Sequence, residues 1–249
     1  MARFGPAAVA AALGLVVWAA LASRLPEALL PGPAAVAQAA WARGPELLGA
    51  ALMTGGCALL GLGISLLLGV LVAVGFLRWR ALELALYPWA LLIQTLPVVA
   101  VAPLLVVWLG YGRPVSVAAT VLVCFFPLLT ALHVGLRAAT PAQVELFSLL
   151  GAGFWTTLLR LRAPAALPQV FAGLRTAAGL CVVGAVVGEF VGSNGVPPSL
   201  GSMVLRAARS ADTATSFAAI GAASGLAVLF FGLVRWFEDR AIGAWAGRS

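Results

Sequence analysis

The sequence predicts an all-α, polytopic membrane protein with about six transmembrane helices and a short helix pair between spans four and five. Of its 249 residues, 63% are hydrophobic and only 9% are charged, and the mean hydropathy is +1.08. Soluble domains contain about 25% charged residues. The charges separate apolar blocks of the ~20 residues that a helix needs to cross a bilayer. Open sheets are excluded because their edges would be unsatisfied in lipid.

Five uncharged blocks are long enough to span, and a sixth apolar region, interrupted by Arg175, is interpreted as a span as well; together they predict a single transmembrane domain over residues 1–249. The first block also fits a cleaved signal peptide, because Arg3 precedes an apolar stretch that ends in small residues. In that case five spans would remain. The predicted spans are residues 5–23, 47–77, 85–110, 114–136, 165–191 and 213–235.

The third predicted span contains two prolines and two polar residues. Pro97 and Pro103 each remove a backbone donor and are expected to bend the helix. A carbonyl freed in this way is tolerated only inside protein or beside a cavity. Together with Gln94 and Thr95, these prolines predict that the span lines a pathway. Gln94 is equally well explained as a hydrogen-bonding residue between helices.

The fifth predicted span carries two charges. Arg175 interrupts it, and we expect this side chain to extend to the interface, to pair with a neighbouring acid or to face the pathway. Glu189 closes the span near its outer end. A carboxylate at membrane depth is costly unless it is paired or hydrated, so Glu189 is either functional or a solvated interfacial acid.

Arginines predict the orientation, because cytoplasmic loops of membrane proteins are enriched in Lys and Arg. All 15 basic residues are Arg, and the formal net charge is +7. Placing both termini in the cytoplasm puts most of them on that side. This topology explains the positive charge without a nucleic-acid partner. The arginines on the cytoplasmic side are Arg3, Arg78, Arg80, Arg137, Arg160, Arg162, Arg175, Arg235, Arg240 and Arg248.

The lack of lysine excludes several kinds of chemistry. A P-loop needs its Lys on the phosphates and a Schiff-base enzyme needs a Lys amine, so any energy that the chain uses has to come from a gradient or a partner. His133 is the single histidine; alone it builds no two-histidine metal site, and a structural role is expected. Cys57, Cys124 and Cys181 are predicted to be buried free thiols.

The segment from Thr140 to Pro168 is a hydrophobic loop with clear helix signals. Thr140 and Gln143 are spaced for a capping box, and Pro141 suits the first helical position. We predict a first helix over residues 141–150 that stops at Gly151, then a second helix from Phe154 that ends or kinks at Pro164. Its apolar residues either pack beneath the spans or form a partner site.

The same segment carries a family signature. Glu145 is followed six residues later by Gly151 and then by Leu161-Arg162-Ala163-Pro164. This spacing resembles the conserved loop of permease subunits of binding-protein-dependent ABC importers. The departures are Leu146 and Phe147 at two alanine positions, Leu161 for Ile and Ala163 for Leu.

Other segments extend the resemblance to the nitrate/sulfonate/taurine-type branch of these permeases. The similar stretches are LPVVAVAPLLVVWLGYG from Leu96, LPQVFAGLRTAAGL from Leu167, VVGEFVGSNG and SLGSMVL. The similarity runs from about Leu96 to Trp236. The loop from Ser193 to Ser202, which contains Pro197 and Pro198, is either a contact for a solute-binding protein or a plain turn.

The resemblance implies that residues 140–164 form a coupling helix pair seated on a separate ATPase subunit. It implies a homodimer in the bacterial inner membrane with two ATPase subunits and a periplasmic or extracellular solute-binding protein. ATP and Mg would be used by the partner, and this chain would bind no cofactor and catalyse no reaction. The coupling residues would be Glu145, Leu149, Gly151, Trp155, Arg160, Arg162 and Pro164, and the pathway candidates Gln94, Pro97, Pro103, Arg175 and Glu189.

Some of these residues have simpler explanations. Glu145 could cap and solubilise its own helix, and Arg160 and Arg162 could be positive-inside anchors. The implied substrate is a small organic anion, such as a sulfonate, taurine or nitrate, or a vitamin precursor. Two other functions stay open on the residues alone. One is a secondary transporter driven by an ion gradient, and the other is an intramembrane enzyme using Ser65 or Ser116.

Overall fold

A computed structural model describes residues 5–193 and 198–246, and every regular element within these ranges is helical. A π-helical turn, Leu158–Arg162, joins the eighth helix to the ninth. Arg3, Arg248 and Pro197 lie outside the described residues. The helices are α1 Gly5–Ala22, α2 Pro33–Ala42, α3 Gly44–Arg78, α4 Arg80–Ile93, α5 Val98–Leu109, α6 Arg113–Gly135, α7 Pro141–Leu149, α8 Phe154–Thr157, α9 Ala163–Gly192, α10 Leu200–Arg209 and α11 Thr213–Ala246.

Four stretches among the described residues are long and apolar enough to cross a membrane: Gly44–Arg78, Arg113–Gly135, Phe154–Gly192 and Thr213–Ala241. The bent pair α4 and α5 makes a fifth if it is counted as one span. The apolar part of α1, Val9–Ala22, is shorter. All 18 residues of α1 rise about 27 Å, just under the ~30 Å hydrocarbon thickness. The polytopic helical fold is confirmed.

The predicted third span is a broken helix. α4 and α5 meet at an angle of 103° across residues 94–97. Pro97 is the residue before α5, where its missing N–H and the restriction that it places on Leu96 end the preceding helix. Pro103, which was predicted to bend the span as well, lies inside α5, and the helix continues through it.

Small residues bring α6 and α9 into close contact. Gly184, Gly188 and Gly192 recur every four residues of α9, so they share one face. A Cβ added to Gly188 would lie 2.5 Å from Ser116 Cα, and one on Gly184 would lie 2.7 Å from Thr120 Cα. Backbones that approach this closely pack well in a membrane, where small residues favour helix association.

The described residues fall into two compact units. One unit comprises residues 1–53 and 195–225, and in it Trp18 stacks on Phe217 with ring centroids 6.2 Å apart. The other comprises residues 54–194 and 226–249 and contains the α6–α9 contact. Cys57, Cys124 and Cys181 are buried free thiols, as predicted.

Candidate functional site

The predicted helix start at Thr140 is confirmed in detail. The Gln143 N–H donates to Thr140 Oγ1 at 3.3 Å, and the Thr140 N–H donates to Gln143 Oε1 at 2.9 Å. Helix α7 ends at Leu149, one residue earlier than predicted, and Gly151 follows with φ of +73°. Since L side chains rarely adopt this backbone conformation, Gly151 sets the sharp turn out of α7.

The apolar residues around this turn divide into two groups. Leu149 and Trp155 are 80% and 65% exposed, and Leu146 and Leu150 are exposed as well. Phe154, by contrast, packs against a buried cluster that includes Leu158, and the Arg78 guanidinium lies 5.5 Å from its ring centroid. Packing beneath the spans therefore explains one group, and the other forms an exposed apolar surface beside Glu145, which is also exposed.

The second predicted helix does not end at Pro164, so that part of the prediction is wrong. Helix α8, the π turn and α9 run without a break from Phe154 to Gly192. Pro164 comes directly after the π turn within this continuous helix, where the backbone hydrogen-bond pattern is already shifted from i→i+4 to i→i+5. The second half of the segment 140–164 is therefore the start of the predicted fifth span.

The two arginines of the segment have different surroundings. Arg160 is exposed. Arg162 is half-buried on the π turn, and its Nη1 donates to the carbonyl oxygen of Leu136 at 3.1 Å. That carbonyl belongs to the residue that follows α6, so Arg162 ties the π turn to the end of α6.

A cavity of about 450 Å³ lies at the break between α4 and α5. Gln94 and Thr95 contribute its polar groups, and the Thr95 hydroxyl donates to the carbonyl oxygen of Leu92 at 2.7 Å. None of the described residues that line it is charged. The lining residues are Ile93, Gln94, Thr95, Leu96, Val98, Val101, Leu122, Val123, Phe126, Pro127 and Leu180.

The other predicted pathway residues are not among the described residues that line this cavity. Arg175 binds Glu238 of α11, with Nη1 at 2.9 Å from Oε1 and 2.7 Å from Oε2. Glu189 is only 4% exposed, and the Thr54 hydroxyl donates to its Oε2 at 3.1 Å. Of the three roles predicted for Arg175, the structure shows pairing with a neighbouring acid. Glu189 is buried, so it is not a solvated interfacial acid.

A cluster around Glu83 was missed in the sequence. Glu83 is 8% exposed in the first turn of α4, and it pairs with Arg137 and with Arg80 Nη1 at 3.2 Å. His133 Nε2 lies 3.3 Å from Glu83 Oε1, and its ring stacks on Tyr87 at 4.8 Å. The i,i+3 spacing of Arg80 and Glu83 was a visible signal, whereas the partners on α6 and after it lie 50 or more residues away.

The sequence matches the family described as the inner membrane component of binding-protein-dependent transport systems, over residues 65–243. The chain belongs to this family, whose members are the permease subunits of ABC transporters. Such subunits lack an ATPase site of their own and work with an ATPase and a binding protein.

Several relatives are similar over more than half of the chain. A formylaminopyrimidine transport permease of Halalkalibacterium halodurans is 37% identical over 180 residues, 72% of this chain and 71% of the relative. A probable ABC transporter permease of Haemophilus influenzae is 32% identical over 92% of this chain and 93% of its own length. A riboflavin permease of Chloroflexus aurantiacus is 39% identical over 58% of this chain and 52% of its own. Further relatives are a protein of Bacillus subtilis named as a putative aliphatic sulfonates transport permease and a carnitine transport permease of Listeria monocytogenes.

Proposed function

We propose that this chain forms the solute pathway of an ATP-driven importer as a homodimer with two ATPase subunits. A solute-binding protein delivers the solute from outside, and ATP and Mg²⁺ are bound by the ATPase subunits. The observation that carries this proposal is the exposed surface of Leu146, Leu149, Leu150 and Trp155 beside Glu145. Contiguous exposed apolar patches mark partner sites.

The position of this surface supports docking of the ATPase subunit. The surface surrounds the Gly151 turn between two stretches that are long enough to span, Arg113–Gly135 and Phe154–Gly192. Arg137, Arg160 and Arg162 lie in the same stretch of chain, which favours the cytoplasmic side. We therefore infer that Glu145, Leu149 and Trp155 contact the ATPase and that both termini lie on its side of the membrane.

Copurification tests the proposal. The chain is co-expressed with the ATPase subunit encoded beside it and extracted in detergent. We expect the two to copurify in equal amounts, and Leu149→Glu with Trp155→Glu to abolish copurification while the chain still enters the membrane. Leu29→Glu with Trp41→Glu, exposed residues outside the segment, is the control. Uptake by the purified chain without ATP or an ATPase would instead indicate the gradient-driven alternative.

The cavity at the broken helix suggests the substrate class. Its described lining offers an amide and a hydroxyl, Gln94 and Thr95, an aromatic ring, Phe126, and apolar side chains. A fixed negative charge on the solute would lose its hydration there without gaining a cationic partner from the lining. We therefore propose an uncharged heteroaromatic solute of the vitamin-precursor kind in preference to a sulfonate or nitrate. The formylaminopyrimidine and riboflavin relatives agree with this.

Uptake into proteoliposomes distinguishes the two substrate classes. With the cognate binding protein present, we expect ATP-dependent uptake of a formylaminopyrimidine or riboflavin and none of taurine or nitrate. Gln94→Leu should reduce uptake, whereas Gln38→Leu, an exposed glutamine of α2, should not. ATP-dependent uptake of taurine alone would overturn the proposed substrate class and leave the proposed importer intact.

A further inference from the structure

Glu83 holds together elements that are distant in sequence. Its carboxylate forms ion pairs with Arg80 of its own helix and with Arg137 of the turn after α6. It also contacts the imidazole of His133 of α6. Tyr87, one turn further along α4, stacks on His133, and Phe76 of α3 packs edge-on against both rings. The start of α4 is therefore fixed to the end of α6 by an ionic contact and by a ring contact.

The same end of α6 carries the surface proposed to meet the ATPase. Arg137 lies three residues before Thr140, the N-cap of α7. On the other side of the surface, Arg162 donates to the carbonyl oxygen of Leu136, the neighbour of Arg137. Both ends of the segment are thus attached at residues 136–137, so a displacement of α7 acts on this point.

At its other end, α4 borders the cavity. Glu83 and Ile93 are ten residues apart on one helix, a distance of about 15 Å at 1.5 Å per residue. Ile93 and Gln94 line the cavity at the 103° break. Because α4 is held at Glu83 and broken after Ile93, a displacement applied at Glu83 would also move Ile93 and Gln94 at the cavity wall.

A buried carboxylate is suited to this link, because leaving it without its cationic partner is costly. Because Arg137 is the arginine partner of Glu83 that lies outside α4, we expect this contact to carry displacement from one element to the other. Arg80 makes a similar ion pair but lies on α4 itself and is 68% exposed, so it cannot join α4 to anything else.

We propose that Glu83 is a positioning residue that transmits displacement of the ATPase-facing segment to the α4–α5 break, through its contact with Arg137. This rests on the proposed function of that segment. The buried cluster then links ATP binding by the partner to the shape of the cavity wall, and Glu83 touches neither the ATPase nor the solute.

Thiol labelling of the cavity wall tests the link without a known solute. Gln94→Cys is exposed, whereas the three native cysteines are buried, so a maleimide reports on the break. In the complex with the ATPase, we expect ATP and vanadate to change the labelling rate by about tenfold, within the usual range of coupling between sites. Glu83→Gln and Arg137→Gln, each added to Gln94→Cys, should remove this change while copurification and basal ATP hydrolysis persist.

Arg80→Gln is the matched control, because it removes an ion pair with the same carboxylate inside one helix. It should keep the full ATP-dependent change in labelling. The proposal is overturned if Glu83→Gln responds like the parent protein, if Arg80→Gln is as defective as Arg137→Gln, or if labelling, assembly and hydrolysis all decline together, as for a merely structural residue. If the parent chain binds no ATPase, the proposed function itself has failed.

Discussion

At the scale of single residues, local chemistry accounts for the turn after α7. Thr140, Gln143 and Gly151 act through bonds to near neighbours and through their own backbone angles, so the sequence alone predicts the start and end of this helix. Glu238, the partner of Arg175, is 63 residues away, and Arg137, the partner of Glu83 outside α4, is 54 residues away; both pairs depend on how the helices pack. No sequence spacing could have identified them.

Gly151 can be tested against its neighbour Gly153. In both positions a Cβ would meet no atom within 4 Å, but Gly151 has φ of +73° and Gly153 has φ of −72°. Gly151→Ala should therefore strain the turn by about 1–2 kcal/mol and lower ATP-coupled uptake, while Gly153→Ala should not. The measurement is uptake per copy of inserted protein, and equal activity of the two variants would contradict the role given to this turn.

Asp212 should make stability depend on pH. The side-chain hydrogen bond with Thr215, the Thr215 N–H that donates to Oδ1, and the nearby Arg43 hold the pKa of Asp212 below its ordinary value. A carboxyl with a lowered folded-state pKa stabilises the protein fully above its unfolded pKa of about 3.9, and this stabilisation is lost as the pH falls through the folded value.

Thermal unfolding in detergent at pH 7 and at pH 3 measures this effect. Asp212→Asn should lose less stability on acidification than the parent protein, since it has no carboxyl to protonate. Asp212→Ala should also lose the cap on α11, about 1 kcal/mol at pH 7. Asp239→Asn, which removes a charge from an exposed acid, is the control. If the parent protein and Asp212→Asn lose equal stability between pH 7 and pH 3, the role given to Asp212 is refuted.

At the scale of elements, the sequence predicted where apolar helices lie but not their irregularities. Pro97 and Pro103 lack the same N–H, yet the helix breaks at Pro97 and continues through Pro103. Likewise, Pro164 was expected to end or kink its helix, and the helix continues past it. Whether a proline breaks a helix in a membrane depends on which neighbours satisfy the freed carbonyl, and that is a property of the packed structure.

The close packing of Gly184, Gly188 and Gly192 of α9 against α6 was also not predicted from the sequence. It can be tested by adding one methyl group. Gly188→Ala places a Cβ 2.5 Å from Ser116 Cα, so α6 and α9 must separate, at a cost of about 1–3 kcal/mol. Gly179→Ala on the same helix meets nothing within 4 Å. We expect a lower unfolding temperature in detergent for Gly188→Ala only, and similar temperatures for both variants would exclude close packing at this face.

At the scale of the whole molecule, the distribution of arginines predicts which side of the membrane each loop occupies. The argument needs only the order of the spans and the excess of Arg on one side, so it was available from the sequence. It predicts that the segment 140–164 lies in the cytoplasm and that the turn between α10 and α11 lies outside.

Single cysteines test this orientation in intact cells. Ser148→Cys and Ser210→Cys are both exposed, and the native thiols are buried. An impermeant maleimide should label Ser210→Cys in intact cells and Ser148→Cys only after the cells are opened. The reverse pattern would invert the topology and place the proposed ATPase surface on the wrong side.

The π turn at Leu158–Arg162 fixes the rotational phase of the exposed surface relative to the spanning helix. An α-helix advances about 100° per residue, and a π turn accommodates one extra residue. Deleting one residue between Leu158 and Arg162 would restore a regular helix and swing Trp155 about 100° around the axis of α9. The direction in which Trp155 faces therefore depends on one extra residue in the π turn. That direction can be altered without changing Trp155 or any other side chain of the exposed surface.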